Sequence, residues 1–130
     1  MELILDTCGL LSLTGLAERK LTRKTLRLVE EAEVVYISSC SLFEISIKHK
    51  KKNLSIHPFT SALALWETAL KEYQLIDLPV SASVFYRSTE LPDHHADPFD
   101  RIILVEALSR NMPILTYDSL FEGYGVEVLN

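Results

Sequence analysis

The stretch HADPFDRIILVEALSRNMPILTYD, residues 95–118, carries the reading on which the fold turns. It opens with Asp97 and Asp100 around Pro98 and Phe99, becomes almost wholly apolar, and closes on Asp118 directly after MPILTY. Asp97 followed by proline has the pattern of an N-cap with proline at N1, so a helix is expected over 97–111. PILTY at 113–117 reads as a strand. A buried helix and a buried strand thus both carry acids at their ends.

The rest of the chain alternates in the same way. ELILD (2–6) is a short apolar run ending on an acid and reads as a buried strand. GLLSLTG follows as a short helix or turn. Residues 18–32 are expected to be helical, with Leu21, Leu28 and Val29 opposite a basic stripe, and EVVYIS (33–38) is a second strand. SLFEISIKHKK (41–51) reads as a helix. NLSIHPF reads as a loop. Residues 60–73 place Ala62, Trp66, Ala69 and Tyr73 on one helix face, with Trp66 as core filling. QLIDLP (74–79) is a third strand, SASVFYRSTEL (81–91) a helix, and VEVL (126–129) a candidate edge strand. Strands alternating with helices give an α/β fold, one domain over 1–130, with a mainly parallel central sheet flanked by helices on both faces. No repeat, linker or low-complexity tract interrupts it.

In an open parallel sheet the functional crevice lies outside the carboxyl ends of the strands. Asp6 ends the first strand and Asp118 the fourth. Glu44 is expected in the first turn of the helix after strand two, and Asp100 in the first turn of the helix at 97–111. Four carboxylates from distant stretches would then meet at one edge. Each also has a capping reading. Ser41 and Glu44 form the S-x-x-E pattern of a capping box, Asp97 caps the helix that holds Asp100, and Asp6 or Asp118 could cap the turn that follows it. Capping alone does not require all four on one edge.

Close carboxylates repel, and a divalent cation relieves the repulsion. Hard oxygen donors suit Mg²⁺ or Mn²⁺, whose chemistry on phosphodiesters is metal-assisted hydrolysis. Cys8 and Cys40 have no metal-ligand spacing and read as small buried hydrophobes. His94 and His95 read as a solvated loop pair.

The net charge is −5, which argues weakly against nucleic acid, but the charge is unevenly distributed. Arg19, Arg23 and Arg27 repeat every four residues and would form one stripe on a helix, with KHKKK at 48–52 as a second basic run. These residues are either a solvated face or a surface for the phosphate backbone of a phosphodiester substrate, with Arg19, Arg23, Arg27 and Lys48 as the candidates. The beginning of the chain has no basic leader, and no apolar run approaches the ~20 residues of a membrane helix, so the cytoplasm is the expected compartment.

With these residues in place, nearly the whole chain resembles the PIN-domain family, specifically the VapC-type ribonuclease toxins. LDTCGLL at 5–11 is similar to the family's first acidic motif, and SSCSLFEISIK at 38–48 to the second, with its glutamate on Glu44. HHADPFDRIILVEAL at 94–108 is the most specific match, with its acid on Asp100. TYDSLFEGYGV at 116–126 resembles the closing motif, with the acid on Asp118 and a supporting hydroxyl on Thr116. Tyr117 departs from the pattern, standing where a basic or small residue is common. The resemblance implies a Mg²⁺- or Mn²⁺-dependent endoribonuclease in which Asp6, Glu44, Asp100 and Asp118 are the catalytic and metal residues. Thr116 and Asp97 would support them. It implies an RNA substrate, a homodimer and a VapB-like antitoxin partner. A non-catalytic PIN module that binds RNA or protein is the alternative. An aspartyl-phosphate phosphatase or a receiver domain would need paired acids after strand one, where Thr7 and Cys8 stand.

Overall fold

The computed structural model describes residues 1–130. The elements run β1 (Glu2–Leu5), α1 (Thr7–Leu13), α2 (Arg23–Glu31), β2 (Val34–Ser38), α3 (Ser39–Lys50), α4 (Ala62–Tyr73), β3 (Leu75–Leu78), α5 (Ala82–Thr89), α6 (Pro98–Arg110), β4 (Ile114–Leu115) and β5 (Val128–Leu129). A short 3-10 helix, Ser119–Tyr124, lies between β4 and β5. The five strands are all parallel, in the order β3-β2-β1-β4-β5. The α/β class and the parallel sheet are as the sequence implied.

The sheet is buried on both sides, and β1 demonstrates why its sequence is continuously apolar. Leu3 and Leu5 face one core with Leu10, Val35, Ile37, Ile45, Leu65 and Trp66. Ile4, one residue out of phase, faces the other with Ile103, Leu104, Ile114 and Phe121. Successive strand side chains point to opposite faces, so a strand covered on both must be apolar throughout. α1, α2 and α4 cover the first face, and α5 and α6 cover the second. Trp66 is buried in the first core, as expected of filling. No helix is long and apolar enough to cross a membrane.

Register fixes the site. Leu5 pairs with Ile37 on one side and with Leu115 on the other. Asp6, Ser38 and Thr116 therefore leave the sheet side by side at its carboxyl edge.

Three local expectations are corrected. The helix expected over 18–32 begins only at Arg23, because the Thr22 side chain accepts the Thr25 amide at 3.2 Å and caps it there. Gly15 turns the chain with a positive φ of 80°, and residues 14–22 form a loop packed on the core through Leu16 and Ala17. The Ser41–Glu44 capping box does not form. Ser38 caps α3 instead, so Ser41 lies inside the helix and its hydroxyl bonds Thr7 Oγ1 at 2.9 Å. Glu44 is consequently in the second turn rather than the first. Finally, Cys40 is buried as expected, but Cys8 is exposed.

Candidate active site

Asp6 is 2% exposed. It caps α1, with Oδ1 accepting the Gly9 amide at 2.6 Å, and Oδ2 accepts the Thr116 hydroxyl. That same hydroxyl accepts the Asp118 backbone N–H at 3.0 Å. Thr116 thus ties the end of β1 to the turn after β4. The fit leaves no room at Gly9, where a Cβ would stand 2.9 Å from the Leu115 carbonyl and 3.0 Å from Asp6 Oδ1. Burial pushes the Asp6 carboxyl up to about 6, against the Thr116 and Gly9 hydrogen bonds, and the charges of Asp118 and Glu44 add to the rise.

Asp100 stands in the first turn of α6, with its helix N-cap at Asp97. Asp97 Oδ1 accepts the amides of Phe99 at 2.8 Å and Asp100 at 3.1 Å, so it is occupied by the cap as the sequence suggested. The Asp100 carboxyl has no backbone partner of this kind. Burial, then the charges of Asp97, Asp6, Glu44 and Asp118, raise it to about 8. Asp118 Oδ1 accepts the Leu120 amide at 2.9 Å, capping the 3-10 helix.

Glu44 is 4% exposed and comes in from α3. Its Oε2 accepts Lys48 Nζ at 2.6 Å, one turn on, while Oε1 is buried without any partner. Burial works against the Lys48 charge, but the hydrogen bond and charge of Glu44 outweigh it and raise the ammonium. Lys48 is therefore engaged inside the acid cluster, not free on a basic face. Cys8 lies at the rim, its thiol pushed up to about 11 by desolvation and by Asp6, Asp100 and Glu44.

The four acids singled out in the sequence lie near enough for their charges to act on one another, with Thr116 bonded to Asp6 and Asp97 acting on Asp100, but only Asp100 and Asp118, together with His95, bring ligand-type atoms within 4.8 Å of one another. Their donor set fits a divalent cation on two grounds. The donors are hard carboxylate oxygens, and one of them, Glu44 Oε1, is buried with nothing to bond. A single Lys48 offsets only part of the negative charge.

His95 was missed. Expected to be solvated, it is 5% exposed, and its Nε2 lies 2.9 Å from Asp118 Oδ2 and 3.0 Å from Asp100 Oδ2. It packs edge-on to Phe121, with ring centroids 5.3 Å apart. Arg101 buries it. That side chain crosses from α6 to donate to the carbonyls of Ser88, Leu91, Pro92 and His95, and so straps the segment before α6 onto the helix. The signal in the sequence was Arg101 itself, a charged residue set directly before the apolar run Ile102–Val105.

The basic stripe is also revised. Arg19 is in the loop, not on α2, and its guanidinium lies 3.7 Å from the centre of the Tyr117 ring. Tyr117 Oη in turn reaches Thr25 Oγ1 at 3.3 Å. Arg23 and Arg27 remain on the exposed face of α2. Away from the acids, Phe43, Val80, Phe85, Phe99 and Ile102 line an apolar groove of about 600 Å³ between α3, α5 and α6.

Residues 3–126 match the family model of the PIN domain. The chain belongs to the PIN-domain family. None of the curated proteins matches this PIN domain by sequence. Among solved structures it is similar to VapBC2 from Rickettsia felis bound to a promoter DNA fragment, with a TM-score of 0.72 and 18% identity over 100% of this chain and 98% of that one. FitAcB from Neisseria gonorrhoeae gives a TM-score of 0.64 and 18% identity, covering 98% and 96%. Mycobacterium tuberculosis VapC20, described as a Sarcin-Ricin loop cleaving toxin, gives 0.69 and 18%, covering 95% of each chain. At this identity the likeness establishes that the PIN domain has the fold of these structures.

Proposed function

We propose that this PIN domain is a divalent-cation-dependent endoribonuclease and the toxin of a toxin–antitoxin pair. The observation that carries the reading is the buried, unpartnered Glu44 Oε1 beside three other carboxylates whose charges act on one another. Asp6, Glu44, Asp100 and Asp118 would hold Mg²⁺ or Mn²⁺. The ion would supply charge neutralisation and water activation for phosphodiester hydrolysis. The chain's own residues do the rest. Thr116 and Gly9 fix the Asp6 carboxylate, and the Asp97 cap leaves Asp100 free to face the crevice. Lys48 holds Glu44 in its rotamer. Arg19, stacked on Tyr117 beside Asp118, together with Arg23 and Arg27, offers the RNA backbone the positive charge that the acids lack. The fold's likeness to VapBC2, FitAcB and VapC20 supports both the substrate class and a protein partner.

That partner, an antitoxin, would carry a basic side chain into the acidic crevice, where an arginine pairs with carboxylates bidentately. Co-expression with a small protein encoded by an adjoining reading frame should abolish cleavage, and a stable complex with full activity would count against it. The reading includes a homodimer in the cytoplasm, checked by sedimentation. A non-catalytic RNA- or protein-binding module is disfavoured by the presence of all four acids. Purified protein should cut RNA with Mg²⁺ or Mn²⁺ and stop with EDTA. Cleavage that survives EDTA, or that persists in Asp6→Asn with Asp118→Asn, would sink the proposal.

A further inference from the structure

The three groups His95, Asp100 and Asp118 bring ligand-type atoms within 4.8 Å of one another, which invites a metal site made of one histidine and two carboxylates. The other side of the imidazole argues otherwise. The Asp97 backbone N–H donates to His95 Nδ1 at 3.2 Å. A ring nitrogen that accepts a hydrogen bond carries no proton, so the neutral ring bears its proton on Nε2. Nε2 is the atom that faces Asp118 Oδ2 at 2.9 Å and Asp100 Oδ2 at 3.0 Å. To ligate a cation through Nε2, the ring would have to move its proton to Nδ1 and set two donors, Nδ1–H and the Asp97 N–H, against each other.

The ring cannot turn away easily. Its backbone N–H donates to Tyr124 Oη at 2.7 Å, which donates in turn to the Pro92 carbonyl at 2.7 Å. Its carbonyl accepts Arg101 Nη1 at 2.9 Å, and Phe121 closes one edge of the ring. Main chain and side chain are both held.

We propose that His95 is a positioning residue that acts as a donor. It is a neutral imidazole, protonated at Nε2, that holds the Asp100 and Asp118 carboxylates together from behind and leaves an all-oxygen site for the cation. This rests on the cation reading given above. It adds that the imidazole stays outside the ligand set and that the tautomer is imposed by the backbone of Asp97, the residue that also caps α6. Partners behind metal-binding groups usually matter for affinity by about 10–100-fold.

The test begins with the unsubstituted protein. Two-bond ¹H–¹⁵N correlation of the histidine rings in the metal-free state should give His95 as the Nε2–H tautomer, and the pattern should persist when Mg²⁺ is added. A Nδ1–H ring in either state overturns the proposal without touching the nuclease reading. Mg²⁺ affinity is then measured by calorimetry in His95→Ala and His95→Gln. Alanine removes the donor and should weaken Mg²⁺ binding by about 10–100-fold. Glutamine places an amide N–H near the Nε2 position and should recover most of that loss. Unchanged affinity in His95→Ala, in a parent that does bind Mg²⁺, overturns the positioning role alone. A parent that binds no Mg²⁺ overturns the cation reading and this role together.

Discussion

Helices α3 and α6 both start at the carboxyl edge of the sheet and both deliver an acid to the same crevice, yet they treat the charge in opposite ways. α3 is capped by a neutral serine, Ser38, and its acid lies a turn deeper, with Lys48 bonded to it four residues on. α6 is capped by a second acid, Asp97, three residues before Asp100, and neither acid is paired with a lysine or arginine. In consequence, burial and its acidic neighbours push the Asp100 carboxyl up to about 8. One helix brings its own counter-charge. The other leaves its acid without a counter-charge of its own. An acid at a helix start is therefore not one kind of object. Whether it caps or faces the crevice depends on which backbone amides are already satisfied.

The sharpest way to break the contrast is Asp100→Asn. It removes a carboxylate that nothing in the chain neutralises, so the loss of RNA cleavage should exceed the about 100-fold typical of a supporting partner. The fold should survive, because asparagine relieves repulsion. Thermal melting should also lose much of the stabilisation by Mg²⁺ that binding to the folded state gives the parent. Full activity in Asp100→Asn would mean that the crevice is not organised around the α6 acid.

The missing counter-charge should appear as a dependence on pH. Asp6 and Asp100 are both raised from 3.8, to about 6 and about 8. Across that range the folded protein keeps protons that the unfolded chain has released, so stability without metal falls as pH rises from about 4 to about 8. Urea denaturation in EDTA should follow this slope, and Mg²⁺ should flatten it. Asp100→Asn should flatten the upper half, leaving the part due to Asp6. A metal-free protein that becomes more stable over this interval would contradict the assignment.

Much of this was legible in the sequence because strand ends are legible. Asp6 and Asp118 follow apolar runs, a parallel sheet puts such ends on one edge, and Asp97-Pro98 marks a helix start with little ambiguity. The failures are of one type, in that they depend on contacts between distant stretches. Ser41 carries the capping-box pattern on paper, yet Ser38 is the cap, and the Ser41 hydroxyl instead meets that of Thr7 across the core. Arg19 keeps a perfect helical interval with Arg23 and Arg27, yet it belongs to a loop, because Thr22 and Gly15 end the periodicity that the spacing suggests. His95 looked solvated because its burial comes from Arg101 and Phe121, six and 26 residues away along the chain.

Lys48→Met tests the other half of the contrast and should have a smaller effect. Lys48 is about half exposed, so its own contribution is screened. Glu44 is not exposed, and without Lys48 both of its oxygens lack a partner in the metal-free protein. The cost should be about 1–3 kcal/mol, the usual penalty for an unsatisfied buried acceptor. Because the cation then becomes the main counter-charge for Glu44, the rise in Tm on adding Mg²⁺ should be larger than in the parent. An equal rise would indicate that Glu44 takes no part in binding the ion.

The smallest effect, and the one that most directly separates capping from chemistry, is expected for Asp97→Ala. The carboxylate of Asp97 accepts the amides of Phe99 and Asp100, so its removal should cost about 1 kcal/mol of stability, as for an N-cap generally. Two features should protect activity. The contact between Asp97 and His95 is made by the backbone N–H, which alanine retains. The Asp97 charge is also the leading charge that raises Asp100, after burial, so alanine lets Asp100 ionise more readily, which favours cation binding. Asp97→Ala should therefore melt slightly earlier and still cleave RNA at a measurable rate. Chemical denaturation and a cleavage assay on the same preparation decide the matter. A variant as stable as the parent and inactive would mean that Asp97, and not Asp100, is the acid that α6 supplies to the crevice.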